Sequence, residues 1–249
     1  MDTLVTTAAV RAAALTKTYG TGEAAVRALD GVTAGFPGRR FTAIMGPSGS
    51  GKSTLLHCLA GLDRPTSGQV LLGGLDLGSL SDTQLTVLRR ERVGFVFQSF
   101  NLLPALTVAE NITLPLLLAG RKPDRSWLDT VVDTVRLGDR LAHRPAELSG
   151  GQQQRAAVAR ALASQPEIVF ADEPTGNLDS RSGAQLLGFL RKAVRELGQT
   201  VVMVTHDPGA AAAADSVTFL ADGHIAGDLA DPGPDTILDR LRLLGDGGA

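Results

Sequence analysis

A glycine-rich loop in the first quarter of the chain carries the strongest chemical signal in the sequence. The loop follows the strand-like run Phe41–Met45 and precedes residues 55–61, which have the pattern of a helix. Its glycines let consecutive backbone N–H groups face one anion, Lys52 adds a positive charge, and the Ser53 hydroxyl can bind Mg²⁺. The positive end of the helix faces the same anion, so the spacing predicts a cradle for the phosphates of a nucleotide. The candidate phosphate-binding residues are Gly46, Pro47, Ser48, Gly49, Ser50, Gly51, Lys52, Ser53 and Thr54.

Two adjacent carboxylates end an apolar strand further along the chain. The run Ile168–Ala171 leads into Asp172 and Glu173, at the expected carboxyl edge of a parallel sheet. There Asp172 would hold Mg²⁺ through its water shell, and Glu173 would polarise an attacking water. Acidic residues also end strands as helix caps, but the phosphate loop favours the chemical interpretation. Together the two motifs predict transfer of a phosphoryl group to water.

A second helix start offers another anion site. The residues Leu-Ser-Gly-Gly-Gln at 148–152 precede residues 153–162, which have helix-forming composition. Ser149 would cap this helix and leave free N–H groups at its positive end. Taken alone, the segment is equally well explained as an ordinary loop and cap.

In this combination the chain resembles the ATP-binding subunits of ABC transporters, whose signature sequence is LSGGQ. The resemblance implies ATP as the nucleotide and Mg²⁺ as its metal ion. It also implies that Ser149, Gly151 and Gln152 contact the γ-phosphate of a nucleotide held by the Walker A loop of another subunit. The motifs follow the family order across residues 10–223.

Four further residues take candidate roles from the same resemblance, although packing alone would explain a lone tyrosine, histidine or glutamine. Gln98 would contact Mg²⁺ and the attacking water and sense a membrane subunit through residues 99–106. His206 would hydrogen-bond the γ-phosphate, Asp179 would cross the interface between two copies, and Tyr19 would stack on adenine. The candidate catalytic residues are therefore Lys52, Gln98, Glu173 and His206, and the candidate metal ligands are Ser53, Gln98 and Asp172.

Two segments narrow the resemblance to the macrolide-exporter and lipoprotein-release ATPases. They are residues 61–68, Gly-Leu-Asp-Arg-Pro-Thr-Ser-Gly, and residues 94–104, which begin Gly-Phe-Val-Phe-Gln. The pair Arg39-Arg40 departs from this group, which usually has Gly-Glu there. That departure does not touch a candidate catalytic position.

Composition excludes several other classes of protein. A net charge of −2 over 249 residues provides no basic field for nucleic acid. The single cysteine, Cys58, cannot form an internal disulfide, and the four histidines are too dispersed to suggest a metal cluster. No secretion signal and no apolar run of ~18 residues is evident. We expect a cytoplasmic protein that lies on the inner face of the cell membrane through a permease.

The order of apolar segments predicts an α/β fold. We expect a P-loop NTPase core with a mostly parallel sheet, an N-terminal antiparallel β region and an inserted helical subdomain. The nucleotide-binding domain would span residues 10–230, with the helical subdomain at about 100–163. Residues 231–249 would form a short C-terminal tail with a helix at 237–244 at most.

The expected function is ATP hydrolysis that powers a separate membrane permease, with two copies of the chain paired head to tail and an exporter-like complex. Three alternatives share parts of this pattern. An importer energy subunit has the same catalytic motifs, and an ATP sensor that does not hydrolyse would differ only in turnover. An ABC ATPase of DNA repair or chromosome structure would need zinc-binding cysteines or a coiled-coil insertion, and neither is evident.

Overall fold

The computed structural model describes residues 8–246. Its strands and α-helices are, in chain order, β1 (Ala8–Tyr19), β2 (Val26–Pro37), β3 (Phe41–Met45), α1 (Lys52–Leu59), β4 (Ser67–Leu72), β5 (Leu75–Asp76), α2 (Asp82–Arg92), β6 (Val93–Phe97), α3 (Val108–Leu118), α4 (Arg125–Val135), α5 (Gly150–Leu162), β7 (Ile168–Asp172), α6 (Ser180–Leu197), β8 (Val201–Val204), α7 (Pro208–Ala211), β9 (Ser216–Ala221), β10 (His224–Ala230) and α8 (Pro234–Asp246). The predicted α/β class is confirmed.

A six-stranded sheet of order β10-β9-β3-β8-β7-β6 forms the centre of the molecule. All its neighbouring pairs are parallel except β10 with β9. Asp172 pairs with Val204 on one side and with Phe97 on the other, and Ile44 also pairs with Val204. The carboxyl ends of four strands therefore meet at one edge. The residues directly after these ends are Gly46, Gln98, Glu173 and Thr205.

Hydrophobic residues fill both faces of this sheet, which explains why its inner strands are apolar throughout. Successive side chains of β7 point to opposite faces, so Phe170 joins one buried cluster while Val169 and Ala171 join the other. The Phe170 cluster includes apolar residues of α1, α2 and the smaller sheet. The opposite cluster includes those of α3 to α6. The sheet is thus the middle layer of three.

The smaller sheet has the order β2-β1-β4-β5 and is antiparallel, as predicted for the N-terminal region. Gly68 enters β4 with a φ of 84°, and a Cβ atom there would collide with the carbonyl oxygen of Ala14. Only glycine fits this close approach of two backbones. The two-residue strand β5 was not predicted.

The helices between β6 and β7 begin at side-chain caps. Thr107 forms a reciprocal capping box with Glu110 at α3, and the Asp124 carboxylate accepts the N–H of Trp127 at α4. The Trp127 indole N–H then donates to the carbonyl of Leu162 over 2.9 Å, which ties α4 to the end of α5. The domain limits expected from the sequence stay a prediction.

None of the helices within residues 8–246 is both long and apolar enough to span a membrane.

The C-terminal region contains a strand that was not predicted and a longer helix than the sequence indicates. Strand β10 pairs with β9 as a hairpin, and α8 begins at Pro234, three residues before the predicted helix at 237–244. Ile237 is fully buried in the cluster that contains α3 to α6. Strand β10 could not be predicted from the sequence, because His224–Ala230 is half-exposed and contains small residues in place of an apolar alternation.

We predict that Ile237→Ala lowers the free energy of unfolding by about 2–4 kcal/mol, because it removes a fully buried branched side chain. Leu243→Ala, at a side chain 67% exposed on the same helix, is the control and should change it by less than about 0.5 kcal/mol. Urea unfolding of both variants measures the difference. Equal midpoints would mean that α8 does not belong to the folded core.

Candidate functional site

The loop between β3 and α1 has the backbone shape of an anion cradle. Gly46, Gly49 and Gly51 have φ angles of 155°, 79° and 99°. A Cβ atom at Gly46 would collide with the carbonyl oxygen of Leu220, so the loop can pass this strand only as glycine. The turn directs the loop over the N-terminus of α1, whose first N–H groups have no partners within the helix.

Lys52 is the first residue of α1 and is 9% exposed. Its ammonium donates to the carbonyl oxygens of Gly46 and Pro47 over 3.0 and 2.7 Å. Burial lowers the pKa of Lys52, while the carboxylates of Glu173 and Asp172 oppose that shift. An ammonium has three donors, so one remains for an anion in the loop.

Ser53 and Asp172 bring two oxygen ligands together. The Ser53 hydroxyl donates to Oδ1 of Asp172 over 3.1 Å, although the residues lie 119 positions apart. A hydroxyl and a carboxylate at the mouth of a phosphate loop suit a magnesium ion that completes its shell with phosphate and water. The chemistry of these donors therefore fits the metal ion expected from the sequence.

His57 is a neighbour of this pair that the sequence did not single out. Its Nε2 lies 3.4 Å from Oδ2 of Asp172, and the hydrogen bond to Asp172 is the main reason that the pKa of His57 is raised. His57 follows Ser53 by four residues on α1, so both lie on one helix face. The four-residue spacing from Ser53 was the only feature of the sequence that could have pointed to His57 as a site residue. It becomes informative only when Asp172 is known to face α1.

Glu173 contacts His206 at the same sheet edge. Oε1 of Glu173 lies 2.9 Å from Nδ1 of His206. Glu173 adopts a φ of 47°, which costs energy for a residue with a side chain and is common at functional positions. Its backbone N–H donates to the Val204 carbonyl at the end of β8, over 3.0 Å. The strained turn thus aims the carboxylate out of the sheet and toward the loop.

Gln98 joins the site through a pair of hydrogen bonds. Its side chain donates to Oδ1 of Asn177 over 3.3 Å, and the Asn177 amide donates back to the Gln98 carbonyl over 3.2 Å. A cavity of about 360 Å³ opens beside them. Its lining residues are Ser53, Phe97, Gln98, Ser99, Asn101, Asp172 and Glu173.

A second cavity, of about 340 Å³, covers the glycine-rich loop. It is lined by Ala28, Ser48, Gly49, Gly51, Lys52, Ser53, Thr54 and Glu173. The two cavities share Ser53 and Glu173, so a phosphate chain in the loop would end beside the carboxylate cluster. The structure thereby brings together the candidate residues for phosphate, metal and water.

The signature residues Ser149, Gly151 and Gln152 line neither cavity. Ser149 accepts the backbone N–H of Gln152 at 3.3 Å, and the Gln152 side chain accepts the N–H of Ser149 at 2.9 Å. Ser149 is exposed at the start of α5. Within one chain this helix end is therefore capped, accessible and separate from the phosphate loop.

Asp179 and Tyr19 also make contacts within the chain. The Asp179 carboxylate caps α6 by accepting the N–H and hydroxyl of Ser182 over 3.0 and 2.7 Å. The N–H bond from Ser182 is the main cause of its lowered pKa. Tyr19, at the end of β1, is 42% exposed, and its hydroxyl donates to Asp63 over 2.7 Å. Their expected contacts with a partner copy and with a base stay predictions.

Comparison with known proteins identifies the class. The family model described as ABC transporter matches residues 29–176. The chain belongs to this family.

Its relatives include ATP-binding proteins and larger fusion proteins. An ABC transporter ATP-binding protein of Thermotoga maritima is 48% identical over 213 residues, which cover 85% of this chain and 91% of the relative. The macrolide export ATP-binding/permease protein MacB of Marinobacter nauticus is 45% identical over 216 residues, or 86% of this chain. That match covers 33% of MacB, so the chain spans about a third of such relatives.

Solved structures confirm the fold. The ATP-binding cassette MJ0796 of Methanocaldococcus jannaschii, solved as a dimer in a post-hydrolysis state with ADP and Pi, has a TM-score of 0.80 and 42% identity. The match covers 90% of this chain and 99% of that one. CbiO1 of Clostridium perfringens, part of the ABC transporter complex CbiONQ, gives a TM-score of 0.81 and 25% identity, with 95% of each chain covered.

We predict that Glu173→Gln retains ATP binding but lowers turnover by about 10²-fold or more, the range for losing a positioned base. The reason is the position of its carboxylate where the two cavities meet. Phosphate release and equilibrium ATP binding measure the two effects separately. Near-normal phosphate release would remove Glu173 from the mechanism.

Proposed function

We propose that this chain is the ATP-hydrolysing subunit of an exporter-like ABC transport complex. The observation that carries the proposal is the convergence of Lys52, Ser53, Asp172 and Glu173 around two cavities at one sheet edge, which share Ser53 and Glu173 in their linings. Each residue type matches one requirement of phosphoryl transfer to water, namely charge neutralisation, metal binding and water positioning. The family supports ATP as the nucleotide.

The residues divide the chemistry among them. Backbone N–H groups of the loop and the Lys52 ammonium bind the phosphates, while Ser53, Asp172 and Gln98 would hold Mg²⁺. The bound metal ion neutralises charge that develops on the phosphate oxygens. The Glu173 carboxylate would accept a hydrogen bond from the attacking water and so polarise it. Nδ1 of His206, 2.9 Å from Oε1 of Glu173, orients that carboxylate.

Two copies of the chain complete the site by pairing head to tail. The exposed, capped start of α5 presents Ser149, Gly151 and Gln152 away from the chain's own phosphate loop. A helix N-terminus is suited to bind an anion, and a second copy would supply one. The dimeric structures of MJ0796 support this arrangement.

A membrane permease would dock in a groove beside β6. A groove of about 620 Å³ lies between the central sheet and α3, and apolar residues dominate its walls. Leu62, Leu114, Pro115 and Leu118 line it, and the side chains of Leu62 and Leu118 are 43% and 64% exposed. Exposed apolar surface of this kind is typical of a protein interface.

The segment expected to sense a membrane subunit, residues 99–106, contributes Asn101 to the lining of this groove. Val108, just after that segment, is fully buried, because it is the first residue of α3 and its side chain enters the core. Leu103 is 46% exposed and lies two residues after Asn101 in the chain, but it does not line the groove. Asn101 lines both the groove and the cavity at Gln98, so a docked helix would touch the segment that holds the glutamine.

The permease would place the chain on the inner face of the membrane. Several relatives are described as macrolide export ATP-binding/permease proteins. The similarity to these export proteins favours an exporter-like complex over the importer alternative.

The composite site predicts complementation between two inactive variants. A Lys52→Ala chain paired with a Ser149→Arg chain forms one site with both defects and one site with neither. We expect a mixture in equal amounts to regain up to about a quarter of wild-type phosphate release, since half of the dimers carry one intact site.

Each variant alone is the control and should stay inactive. If the mixture is as inactive as the two variants, or if Ser149→Arg abolishes ATP binding by the monomer, the site is not built from two chains.

The groove predicts a permease-binding variant. Leu118→Glu places a charge in the apolar wall and should weaken co-purification with the permease of the complex by about tenfold or more. Leu243→Glu, at an exposed side chain of α8, is the matched control. Basal ATPase activity of the isolated variants should equal that of wild type. Unchanged permease binding by Leu118→Glu would exclude this groove as the docking site.

A further inference from the structure

Tyr19 is the only tyrosine of the chain, and its ring is held from its edge. The phenol hydroxyl donates to Oδ2 of Asp63 over 2.7 Å. Without this hydrogen bond, the Tyr19 ring at the end of β1 could rotate about its side-chain bonds. The hydrogen bond to Asp63 fixes the direction in which the ring extends.

Lys17 holds the same ring from one face. Its ammonium lies 4.7 Å from the centre of the Tyr19 ring and 2.6 Å from Oδ1 of Asp63. It also donates to the carbonyl of Arg64 over 2.8 Å. The Lys17 side chain is 13% exposed, so it is fixed rather than solvated. A cation thereby covers one face of the ring, while Tyr19 as a whole stays 42% exposed.

The carboxylate that organises this cluster is attached to the helix of the phosphate loop. Asp63 lies just after α1, and its backbone N–H donates to the His57 carbonyl over 3.2 Å. The following turn is joined to β1, because Thr66 donates its N–H to the Thr16 carbonyl and accepts the N–H of Thr18. Asp63 therefore fixes Tyr19 relative to α1, whose other end forms the anion cradle.

We propose that Asp63, together with Lys17, is a positioning residue for the nucleotide base: it holds the Tyr19 ring so that the face away from Lys17 receives a purine at a fixed distance from the phosphate loop. The inference rests on the proposed function, since it requires that the chain bind ATP. Fixing a side chain before binding reduces the ordering cost of binding.

A purely structural role for the cluster makes a different prediction. If Asp63 only stabilised the fold, its loss would affect all ligands of the site alike. A positioning role affects ligands that carry a base and spares those that consist of phosphate alone. ATP and inorganic tripolyphosphate are therefore the two probes.

Asp63→Asn should bind ATP about 3- to 10-fold more weakly than wild type, the range for losing one ordered aromatic contact. Its affinity for tripolyphosphate should be unchanged. In turnover, KM for ATP should rise by a similar factor with kcat unaltered. Asp82→Asn is the matched control, because Asp82 also forms a salt bridge, in its case with Arg64, but its side chain is 92% exposed.

The sole tyrosine provides a direct spectroscopic readout of the contact. Partial burial and then the hydrogen bond to Asp63 raise the pKa of Tyr19 above its ordinary value of about 10. Losing the carboxylate should lower that pKa, since a neutral amide no longer opposes phenolate formation. Near-ultraviolet absorbance titration of wild type and Asp63→Asn measures this change without any nucleotide.

Tyr19→Phe supplies a second variant if Asp63→Asn folds poorly. It keeps the ring and loses the hydroxyl, so it should weaken ATP but not tripolyphosphate. The two substitutions together should weaken ATP by less than the product of their separate factors, because they break the same contact.

The outcomes separate the two proposals. If wild type fails to bind ATP, the proposed function falls and this inference falls with it. If wild type binds ATP and Asp63→Asn binds it equally well, or loses ATP and tripolyphosphate alike, then Asp63 does not position the base and the proposed function stands.

Discussion

The parallel register of four central strands is the constraint on which the site depends. Because Phe97, Asp172 and Val204 pair side by side, the residues that follow them emerge at one edge. No local sequence could bring Gln98 and Glu173 together, since 75 residues separate them. Both faces of the sheet are covered, so its inner strands consist mainly of apolar residues. The polar and charged side chains of the site therefore lie at the carboxyl ends of the strands and in the turns that follow.

Burial makes the charges at this edge interdependent. Lys52 is largely removed from water, and the carboxylates of Glu173 and Asp172 help it to stay protonated. The same carboxylates need positive charge nearby, which His57, Lys52 and a metal ion can each supply. A triphosphate would add negative charge to this cluster, and a divalent cation bound with it would offset part of that charge. The observed pairs Ser53–Asp172 and Glu173–His206 keep these groups oriented without a ligand.

The sequence predicted those parts of the site whose spacing is local. The glycine-rich loop, the paired carboxylates and the cap at Ser149 each occupy a few consecutive residues, and the structure places them at element ends as expected. Contacts between distant residues could not be read in the same way. Asp63 lies 46 residues from Lys17 and 44 from Tyr19, and His57 faces Asp172, the last residue of β7. Strand β10 lacked an apolar alternation, so only its pairing with β9 reveals it.

In the proposed dimer, one chain holds the phosphates and its partner's α5 closes the site. Cysteine cross-linking between the two chains tests this arrangement. Ser48 and Ser149 are exposed, whereas the native Cys58 is 1% exposed and will not compete. A Ser48→Cys chain is mixed with a Ser149→Cys chain and a short bifunctional maleimide, with and without a non-hydrolysable ATP analogue. We expect a nucleotide-dependent cross-linked dimer of the two different chains, and little product from either chain alone. Nucleotide-independent yields, or efficient cross-linking within a monomer that carries both substitutions, would contradict it.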